Sequence, residues 1–341
     1  MTIQFIEEST LTTMADAIRA GTGKTGTMKP SDMPTEIAAI KTYSREGKYV
    51  WSVQSGNGTT VDVNAETKYV ASNDKNAYPN DGWIGSDYFK LVKSDLKIVT
   101  WADGTDEEIC AMVDAADKGL INLSDYWAVG DERTVSLSAM AATGVGETHA
   151  AQTVKLVLMD KTCTGFTLAA ATSGGKTKPS FIIGLKNSLT AAGYMNAART
   201  NANGWSGSER RTWCNNVFRM AIPSGLRGIF KQFKWKQGQG GGNSSGLLET
   251  TDYFGFAPEK AVFGSNTYSF ADEAALYAQW AWYQTSANRI KKLGESGSAG
   301  DWWECSPSSG YNGSFCSVDS GGSASAGNAN YADGLAPFGC I

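Results

Sequence analysis

The sequence predicts an α+β protein, and three observations support that class. Segments rich in β-branched and aromatic residues, such as Val154–Asp160, are typical of strands. Other segments place apolar residues at helical spacing behind a Ser or Thr that can cap a helix. The C-terminal half is rich in turns between short apolar pieces, which fits a mixed domain with long loops.

Length and composition favour a folded chain of several domains. The 341 residues suffice for two or three domains, and 41% hydrophobic and 11% aromatic residues provide a packed core. The net charge of −4 argues against a nucleic-acid-binding protein. The N-terminal MTIQFIEEST lacks the features of a secretory signal, and no apolar run has the length of a membrane span. We therefore expect cytoplasmic synthesis, no membrane insertion and no nucleic-acid partner.

Two units are predicted in the first third of the chain. Residues 1–42 form a short helical module with an amphipathic helix, and its small size suggests attachment to a partner chain or oligomerisation. Residues 43–104 form a small β-rich domain. Its strand candidates are Lys48–Val53, Thr60–Asn64, Lys68–Ser72 and Lys97–Trp101.

A connector helix and a large C-terminal domain follow. Thr105 and Glu108 form a capping box, which predicts a connector helix over residues 105–118. Residues 119–341 form the C-terminal domain. Its predicted elements are a strand at Val154–Asp160 and helices at Ser180–Gly193, Ser208–Ile222 and Ser269–Gln284.

The residues with obvious chemistry favour structural roles. The six cysteines contain no CxxC, and we expect them to be free and mostly buried. His149 is the only histidine, so His-rich metal sites are excluded, and a surface or hydrogen-bonding role is expected for it. The basic stretch from Arg210 to Lys236 contains interleaved aromatic residues and is expected to be a solvated helix face. Binding of anionic glycans by this stretch is left open.

Several motifs give the C-terminal domain a family resemblance. NLSDYWAVGDERTVSLSAM, FIIGLKNSL, GWSGSERRTWCNNVF, IPSGLRGIFKQFK, DWW-x-x-SP and GLAPFGCI resemble a domain family of phage and prophage tail genes in gut bacteria, across about residues 119–341. MADAIRAGTGKTGTMKPSDMPTEIAAI near the N-terminus is similar to a segment that recurs in phage tail proteins. The family's layout is similar to the C-type-lectin-like fold of formylglycine-generating enzymes and of the variable proteins of diversity-generating retroelements.

The resemblance implies a tail adhesin, that is, a receptor-binding protein of the phage virion and not an enzyme. The expected partners are a bacterial surface glycan or protein and other tail proteins, and the expected oligomer is the homotrimer usual for tail fibres. No cofactor is expected. Because neither Glu-Pro-Asn nor Trp-Asn-Asp occurs in the C-terminal domain, we predict no metal site for ligand binding, and a structural calcium ion is left open.

The same resemblance places the binding face near the C-terminus. It implies that large apolar residues form the scaffold, namely Trp302, Trp303, Phe315 and Phe338. The Ser, Asn and Tyr residues around them would form the display surface, as in antibody paratopes. The predicted ligand-binding residues are Ser306, Ser308, Ser309, Tyr311, Asn312, Ser314, Ser323, Ser325, Asn328, Asn330, Tyr331 and Asp333.

Two further hypotheses concern diversification and alternative functions. From Cys305 to Ile341 the chain lacks Lys, Gln, Glu, Met and Trp, which adenine-randomised Asn-type codons cannot encode. Cys305–Asp333 is therefore a candidate variable region, although a Ser/Gly-rich loop would also lack long residues. The alternatives to an adhesin are a structural tail component and a formylglycine-generating-type enzyme. That enzyme uses closely spaced cysteines, whereas Cys305 and Cys316 are eleven positions apart.

Overall fold

The structure is a computed structural model, and it combines helices with several small sheets, as expected for the α+β class. It describes residues 50–55, 60–62, 83–84, 87–94, 96–142, 145, 147–242 and 245–341. The expected N-terminal module, residues 1–42, and the expected strand at Lys68–Ser72 lie outside the described residues. No helix in the described ranges is long and apolar enough to cross a membrane.

The described chain divides into two compact units. The first takes in the described residues up to Val99 together with Ala111–Tyr126 and Thr172–Gly175. Its sheet is antiparallel with strand order β2-β1-β4-β3. The strands are β1 (Val50–Ser55), β2 (Thr60–Asp62), β3 (Trp83–Ile84) and β4 (Asp87–Ser94). The expected strand at Lys97–Trp101 is absent, because the described residues there form a loop and a turn.

Helix α1 (Asp106–Asp117) begins at the predicted capping box. The Thr105 N–H donates to Glu108 Oε2 at 2.9 Å, and the Glu108 N–H donates to Thr105 Oγ1 at 3.3 Å. These reciprocal bonds satisfy two N–H groups that the helix itself leaves unpaired. The predicted apolar face is buried, namely Ile109, Met112, Val113 and Ala116.

The second unit comprises Thr100–Cys110, Trp127–Ala171 and Lys176–Ile341. Its largest sheet is antiparallel with strand order β11-β17-β8-β6-β5. The strands are β5 (Glu132–Leu137), β6 (Gln152–Asp160), β8 (Ile182–Leu185), β11 (Phe254–Gly255) and β17 (Phe338–Cys340). Strand β6 contains the predicted Val154–Asp160 segment. The helix predicted at Ser180–Gly193 is wrong, because four consecutive buried residues form β8 between β17 and β6. A short run buried on both sides has no period that separates helix from strand.

Three smaller sheets complete this unit. One has the order β10-β9-β7, one pairs β12 with β13, and the C-terminal sheet has the order β14-β15-β16. Their strands are β7 (Thr167–Leu168), β9 (Phe233–Gly238), β10 (Leu247–Asp252), β12 (Lys291–Lys292), β13 (Ala299–Gly300), β14 (Trp302–Pro307), β15 (Ser314–Val318) and β16 (Ala324–Asn328). The glycine-rich tract connects β9 to β10, which pair as an antiparallel hairpin.

Short helical segments connect the sheets. The labelled helices are α2 (Gly204–Gly207), α3 (Glu209–Trp213), α4 (Arg219–Ala221), α5 (Ser224–Arg227) and α6 (Glu259–Phe263). A π-helical turn at Cys214–Phe218 joins α3 to α4, and the Ser208 hydroxyl accepts the Arg211 N–H at 3.1 Å. The helix predicted at Ser208–Ile222 is therefore confirmed, with Ser208 as its cap.

The helix predicted at Ser269–Gln284 is wrong. The chain forms separate 3₁₀ turns at Ala271–Ala275 and Ala281–Gln284. The N–H of Trp280 donates to the Ala261 carbonyl in α6 at 2.8 Å, so it is not available for a helix of its own segment. The Trp280 ring is buried, and tertiary packing here overrides local helical propensity.

An aromatic cluster forms the core of the second unit. The Phe338 ring lies 4.9 Å from that of Trp280, 5.5 Å from those of Phe166 and Phe233, and 5.6 Å from that of Trp235, measured between centroids. These rings come from β9, β17 and the connecting segments, so one cluster holds together parts of two sheets. Such aromatic contacts add to the free energy of burial itself.

Candidate functional site

The adjacent tryptophans fix β14 in the interior. Trp302 and Trp303 are fully buried. The Trp302 indole N–H donates to the Arg289 carbonyl at 2.8 Å, and that of Trp303 donates to the Gly193 carbonyl at 2.7 Å. Each ring therefore buries a large apolar area with its N–H satisfied. Phe315 and Phe338 are also buried, so all four residues expected as scaffold lie inside the second unit.

The register of the C-terminal sheet decides which loops come together. Ser314 in β15 lies opposite Asn328 in β16, and both strands continue away from this end. The connection 308–313 and the segment after Asn328 therefore lie at one end of the sheet. The turn at 319–323 lies at the opposite end. We call the first end, with Ser309, Tyr311, Asn312, Asn328, Asn330 and Tyr331, the tip.

The structure divides the predicted ligand-binding residues into four groups. Side chains exposed at the tip are Ser309, Tyr311, Asn312, Asn330 and Tyr331, and those half-buried are Ser325, Asn328 and Asp333. Ser323 is exposed but lies in the turn at the opposite end of the sheet. Ser306, Ser308 and Ser314 are buried. A surface ligand would not reach these three serines, so they do not belong to the exposed surface of the tip.

Two of these serines, Ser306 and Ser314, instead form side-chain hydrogen bonds within the protein. The Ser306 hydroxyl donates to Glu273 Oε2 at 2.5 Å and accepts the Glu259 N–H at 3.2 Å. The Ser314 hydroxyl donates to Asn328 Oδ1 at 3.3 Å across the β15–β16 pair. Composition alone does not predict that these serines are buried, because serine occurs both in exposed binding loops and in interior strands.

Asn201 fixes the shape of the tip and was missed by sequence reasoning. It is fully buried, and its side-chain amide donates to the carbonyls of Ser308, Tyr311 and Ser314 at 3.2, 2.9 and 2.7 Å. Its Oδ1 accepts the Gly241 N–H at 2.8 Å. One side chain thus connects the 308–313 segment to the glycine-rich loop. The three carbonyls that it binds lie more than a hundred residues further along the chain, so no local sequence pattern reveals this role.

Two other segments border the tip. The Tyr268 carbonyl accepts the Ser309 N–H at 2.8 Å and the Ser309 hydroxyl at 2.9 Å. Gly313 packs so closely on Arg199 that a Cβ there would lie 2.9 Å from Arg199 Cγ. Among the described residues, the exposed large hydrophobic and aromatic side chains include Tyr268, Tyr311 and Tyr331. Three partly exposed tyrosines are therefore attached to this end of the second unit.

A titratable carboxyl accompanies these aromatic residues. Burial raises the pKa of Asp333 to about 6, and the nearby charge of Asp301 adds to the rise. The Asp333 backbone pairs with Gly193, which also accepts the Trp303 indole N–H. Asp333 therefore changes its charge close to neutral pH on a segment fixed to the scaffold.

The basic stretch is only in part the expected solvated face. Arg210 is fully buried, and its guanidinium donates to Glu147 Oε2 at 2.8 Å and to the Tyr194 carbonyl at 2.6 Å. It also lies over the Trp213 ring at 4.9 Å. A buried cation of this kind needs its anionic partner, so Arg210 serves the interior and not a glycan surface.

His149 is neither exposed nor hydrogen-bonded through its ring. It is fully buried, with its centroid 5.5 Å from that of Trp213, and neither ring nitrogen has a partner in the described part of the chain. Burial and the charge of Arg210 lower its pKa to about 4, so the ring is neutral at pH 7. The expectation of a surface or hydrogen-bonding histidine is therefore corrected to a packed, neutral one.

The cysteines near the tip have the properties of structural thiols. Cys305 and Cys316 are free and fully buried. Burial raises the pKa of both thiols well above the usual value, and the nearby carboxylates add to the rise. Reactive cysteines instead have lowered pKa values and partial exposure.

A family match covers this part of the chain. Residues 182–341 match the model of a family described as a domain of unknown function, DUF6273. No curated protein and no solved structure matches the chain. The matched residues include β8 to β17, the tip and Asn201, so the candidate site lies wholly within the region of similarity to that family.

Proposed function

We propose that this chain is a phage tail receptor-binding protein whose tip binds a glycan or protein on a bacterial surface. The observation that carries the proposal is the exposure of Tyr311 and Tyr331, at 65% and 57%, at the same end of one sheet. Their neighbours Asn312 and Asn330 are also exposed. Aromatic faces next to amide groups suit both sugar rings and shallow protein pockets.

The rigidity of the supporting segments adds to the argument. Asn201 fixes the carbonyls on both sides of the 308–313 turn, and the Ala329 N–H donates to the Gly313 carbonyl at 2.8 Å. A surface that is ordered before binding loses less conformational entropy when it binds. Tyrosine, with few rotatable bonds, offers a large contact area at low entropic cost.

The sequence resemblance supplies the biological setting of the proposal. The C-type-lectin-like layout and the phage-like N-terminal segment suggest a virion protein, assembled as a homotrimer with other tail proteins. Several tips on one particle would convert weak single contacts into stable attachment. The setting and the oligomer rest on this resemblance, whereas the choice of binding face rests on the exposed residues.

Diversification, if it occurs, would be restricted by burial. Within the candidate variable region Cys305–Asp333, Ser306, Phe315 and Cys316 are buried, while Tyr311 and Tyr331 are exposed. We expect sibling genes from one source to differ at the exposed tip positions and to keep the buried ones. Substitutions spread evenly over buried and exposed positions would refute a variable binding face.

The binding experiment uses paired truncations of exposed side chains. The fluorescently labelled full chain is titrated onto cells of a panel of gut bacteria, and the double variant Tyr311→Ala, Tyr331→Ala is compared on the strains that bind. Two aromatic anchors at about 1–2 kcal/mol each predict a loss of affinity of at least tenfold. The matched control is Met220→Ala, since Met220 is 56% exposed and lies on helix α4.

The outcomes separate the adhesin from the alternatives. Loss of binding in the double variant at unchanged melting temperature supports the tip, and full binding by that variant refutes it. A structural tail component would instead show the tip protected from proteases in intact particles. The enzyme alternative is disfavoured by the buried, high-pKa thiols of Cys305 and Cys316.

A further inference from the structure

Three metal-ligand side chains converge beneath the C-terminal sheet. They are Glu259 from the first turn of α6, Glu304 from β14 and Cys316 from β15. The potential donor atoms, two carboxylate oxygens and one sulfur, all lie within 4.8 Å of one another. All three side chains are fully buried, so this is not a solvated acidic patch.

The fold brings these residues together through a strand irregularity and a docked turn. The register of β14 against β15 shifts between Trp303 and Pro307, and Glu304 lies within that irregular stretch. The Cys305 N–H donates to the Ala257 carbonyl at 3.1 Å, which holds β14 against the start of α6. Glu259 is the first residue of α6, so its carboxyl is held next to β14.

Glu259 is already oriented by hydrogen bonds. Its Oε2 accepts the Ser269 hydroxyl at 2.6 Å and the N–H groups of Ser269 and Thr267 at 2.9 and 3.0 Å. Its Oε1 accepts the Tyr268 N–H at 3.0 Å, which leaves one lone pair of that oxygen. Ligands of structural metal sites are commonly fixed in this way by outer hydrogen bonds.

Glu304 lacks such support. Both of its carboxyl oxygens are buried without a hydrogen-bond partner in the described part of the chain. The nearby Glu273 is equally buried, but it accepts the Gly238 N–H at 2.6 Å and the Ser306 hydroxyl at 2.5 Å. Buried carboxyl groups without partners are rare in native proteins, because their desolvation is not compensated. Glu304 is directed at the other two donors, so a bound cation would supply its missing partner.

We infer that Glu259, Glu304 and Cys316 bind a structural zinc ion. A thiolate together with carboxylates selects zinc over the harder magnesium and calcium, which prefer oxygen donors alone. Ligand distances of about 2.0–2.3 Å imply donor separations of about 3.3–3.8 Å in a tetrahedron, so donors that now lie within 4.8 Å of one another would approach by up to about 1.5 Å on binding. On metal binding, the Cys316 thiol releases its proton to solvent and binds as the thiolate.

The ion would connect three elements that support the tip. It would join α6 to β14 and β15, and the segment between these two strands carries Tyr311 at the tip. Because all three side chains are fully buried, a substrate would not reach the ion, so the role is structural and not catalytic. A fourth ligand, such as a buried water molecule, would complete the tetrahedron. The proposed zinc site lies in the interior of the second unit, and its existence does not depend on which receptor the tip binds.

The first test is the metal content of the full chain. The protein is produced in zinc-supplemented medium, dialysed and measured for zinc per chain by mass spectrometry. We expect about one equivalent in the wild type and loss of it in Glu304→Gln and in Cys316→Ser, whose affinities should fall at least about a hundredfold. The matched control is Cys214→Ser, since Cys214 is another fully buried free thiol outside the cluster, and it should retain the zinc.

Cobalt substitution tests the ligand identity. The full chain refolded with Co²⁺ should show a thiolate-to-cobalt charge-transfer band, which Cys316→Ser abolishes and Cys214→Ser keeps. Glu304→Gln has nearly the volume of the native side chain, so it remains informative if Cys316→Ser does not fold. The inference is overturned if the wild type binds neither zinc nor cobalt. It is equally overturned if cobalt binds without a thiolate band, or if Glu304→Gln keeps the metal with wild-type affinity.

Discussion

Replacement of Asn201 tests how the tip is held. The buried side chain of this residue makes four polar contacts. The two hydrogens of its NH2 group are shared among the carbonyls of Ser308, Tyr311 and Ser314, and its Oδ1 accepts the Gly241 N–H. Alanine removes all four, while the Asn201 N–H keeps its 2.9 Å bond to the Asn312 carbonyl. At about 1 kcal/mol for each of the three hydrogens involved, Asn201→Ala should lower the free energy of unfolding by about 3 kcal/mol.

Aspartate at the same position makes the test sharper. It has the shape of asparagine, but as a carboxylate it can only accept hydrogen bonds, and it would face three carbonyl oxygens. The expected order of stability is therefore wild type, then Asn201→Ala, then Asn201→Asp. The difference between the two variants should shrink as the pH falls and the carboxyl becomes protonated.

Urea unfolding followed by tryptophan fluorescence provides the measurement. With a slope of about 2–3 kcal/mol per molar urea, a change of about 3 kcal/mol lowers the midpoint by about 1.2 M. Asn312→Ala is the control, because Asn312 is exposed on the same turn, and it should stay within about 0.5 kcal/mol of the wild type. If Asn201→Ala costs less than about 1 kcal/mol, or if Asn201→Asp is the more stable variant, the tip does not depend on this amide.

The remaining predictions concern a helix cap, a titration and a close backbone contact. Thr105→Ala should lower the free energy of unfolding by about 1 kcal/mol, because the Glu108 N–H loses its acceptor, and equal urea midpoints would contradict the cap. The raised pKa of Asp333, about 6, stabilises the fold below about pH 4, and this contribution is lost as the pH rises through 6. Asn at position 333 stays neutral at every pH, so Asp333→Asn should be more stable than the wild type at pH 7 and equally stable at pH 4. A gain in stability that does not depend on pH would contradict the raised pKa of Asp333. Gly240→Ala should lower the free energy of unfolding by more than about 2 kcal/mol, because Gly240 has φ +67° and a Cβ there would collide with the Asn201 carbonyl. The control is Gly228→Ala, where a Cβ would have no atom within 4 Å, and it should change the free energy of unfolding by less than about 1 kcal/mol.

The sequence predicted elements whose signals are local. The capping box at Thr105 and Glu108, the strand at Val154–Asp160 and the capped helix after Ser208 each depend on residues a few positions apart. Propensity, capping and side-chain period act over the same distance, so these elements can be recognised without the fold.

The wrong assignments share a different cause. Ile182–Leu185 and the 269–284 segment contain apolar residues whose partners lie elsewhere in the chain. β8 pairs with β17 and β6, and the Trp280 N–H bonds to α6. A single sequence does not show such pairings, and tertiary contacts here decide between helix and strand.

The candidate sites were predictable only in part. Exposure of Tyr311 and Tyr331 fits a display surface expected from the resemblance, but Asn201 and the Glu259, Glu304 and Cys316 cluster have no local signature. Glu259 and Cys316 lie far apart in the chain and meet only because α6 docks on the C-terminal sheet. Ligands contributed by separate elements become visible only with the register and docking of those elements.

The high content of small polar residues in the C-terminal tract has two structural explanations, one at the tip and one in the interior. At the tip, Tyr311 and Asn312 meet the requirements of a contact surface. Inside, β14 and β15 pack against buried carboxyl groups, where Ser306 can donate to Glu273 and Cys316 lies beside Glu304. A tract rich in Ser and Gly can lack Lys, Gln, Glu, Met and Trp without codon randomisation, so only the positions that vary among sibling genes can distinguish a diversified surface from a fixed one.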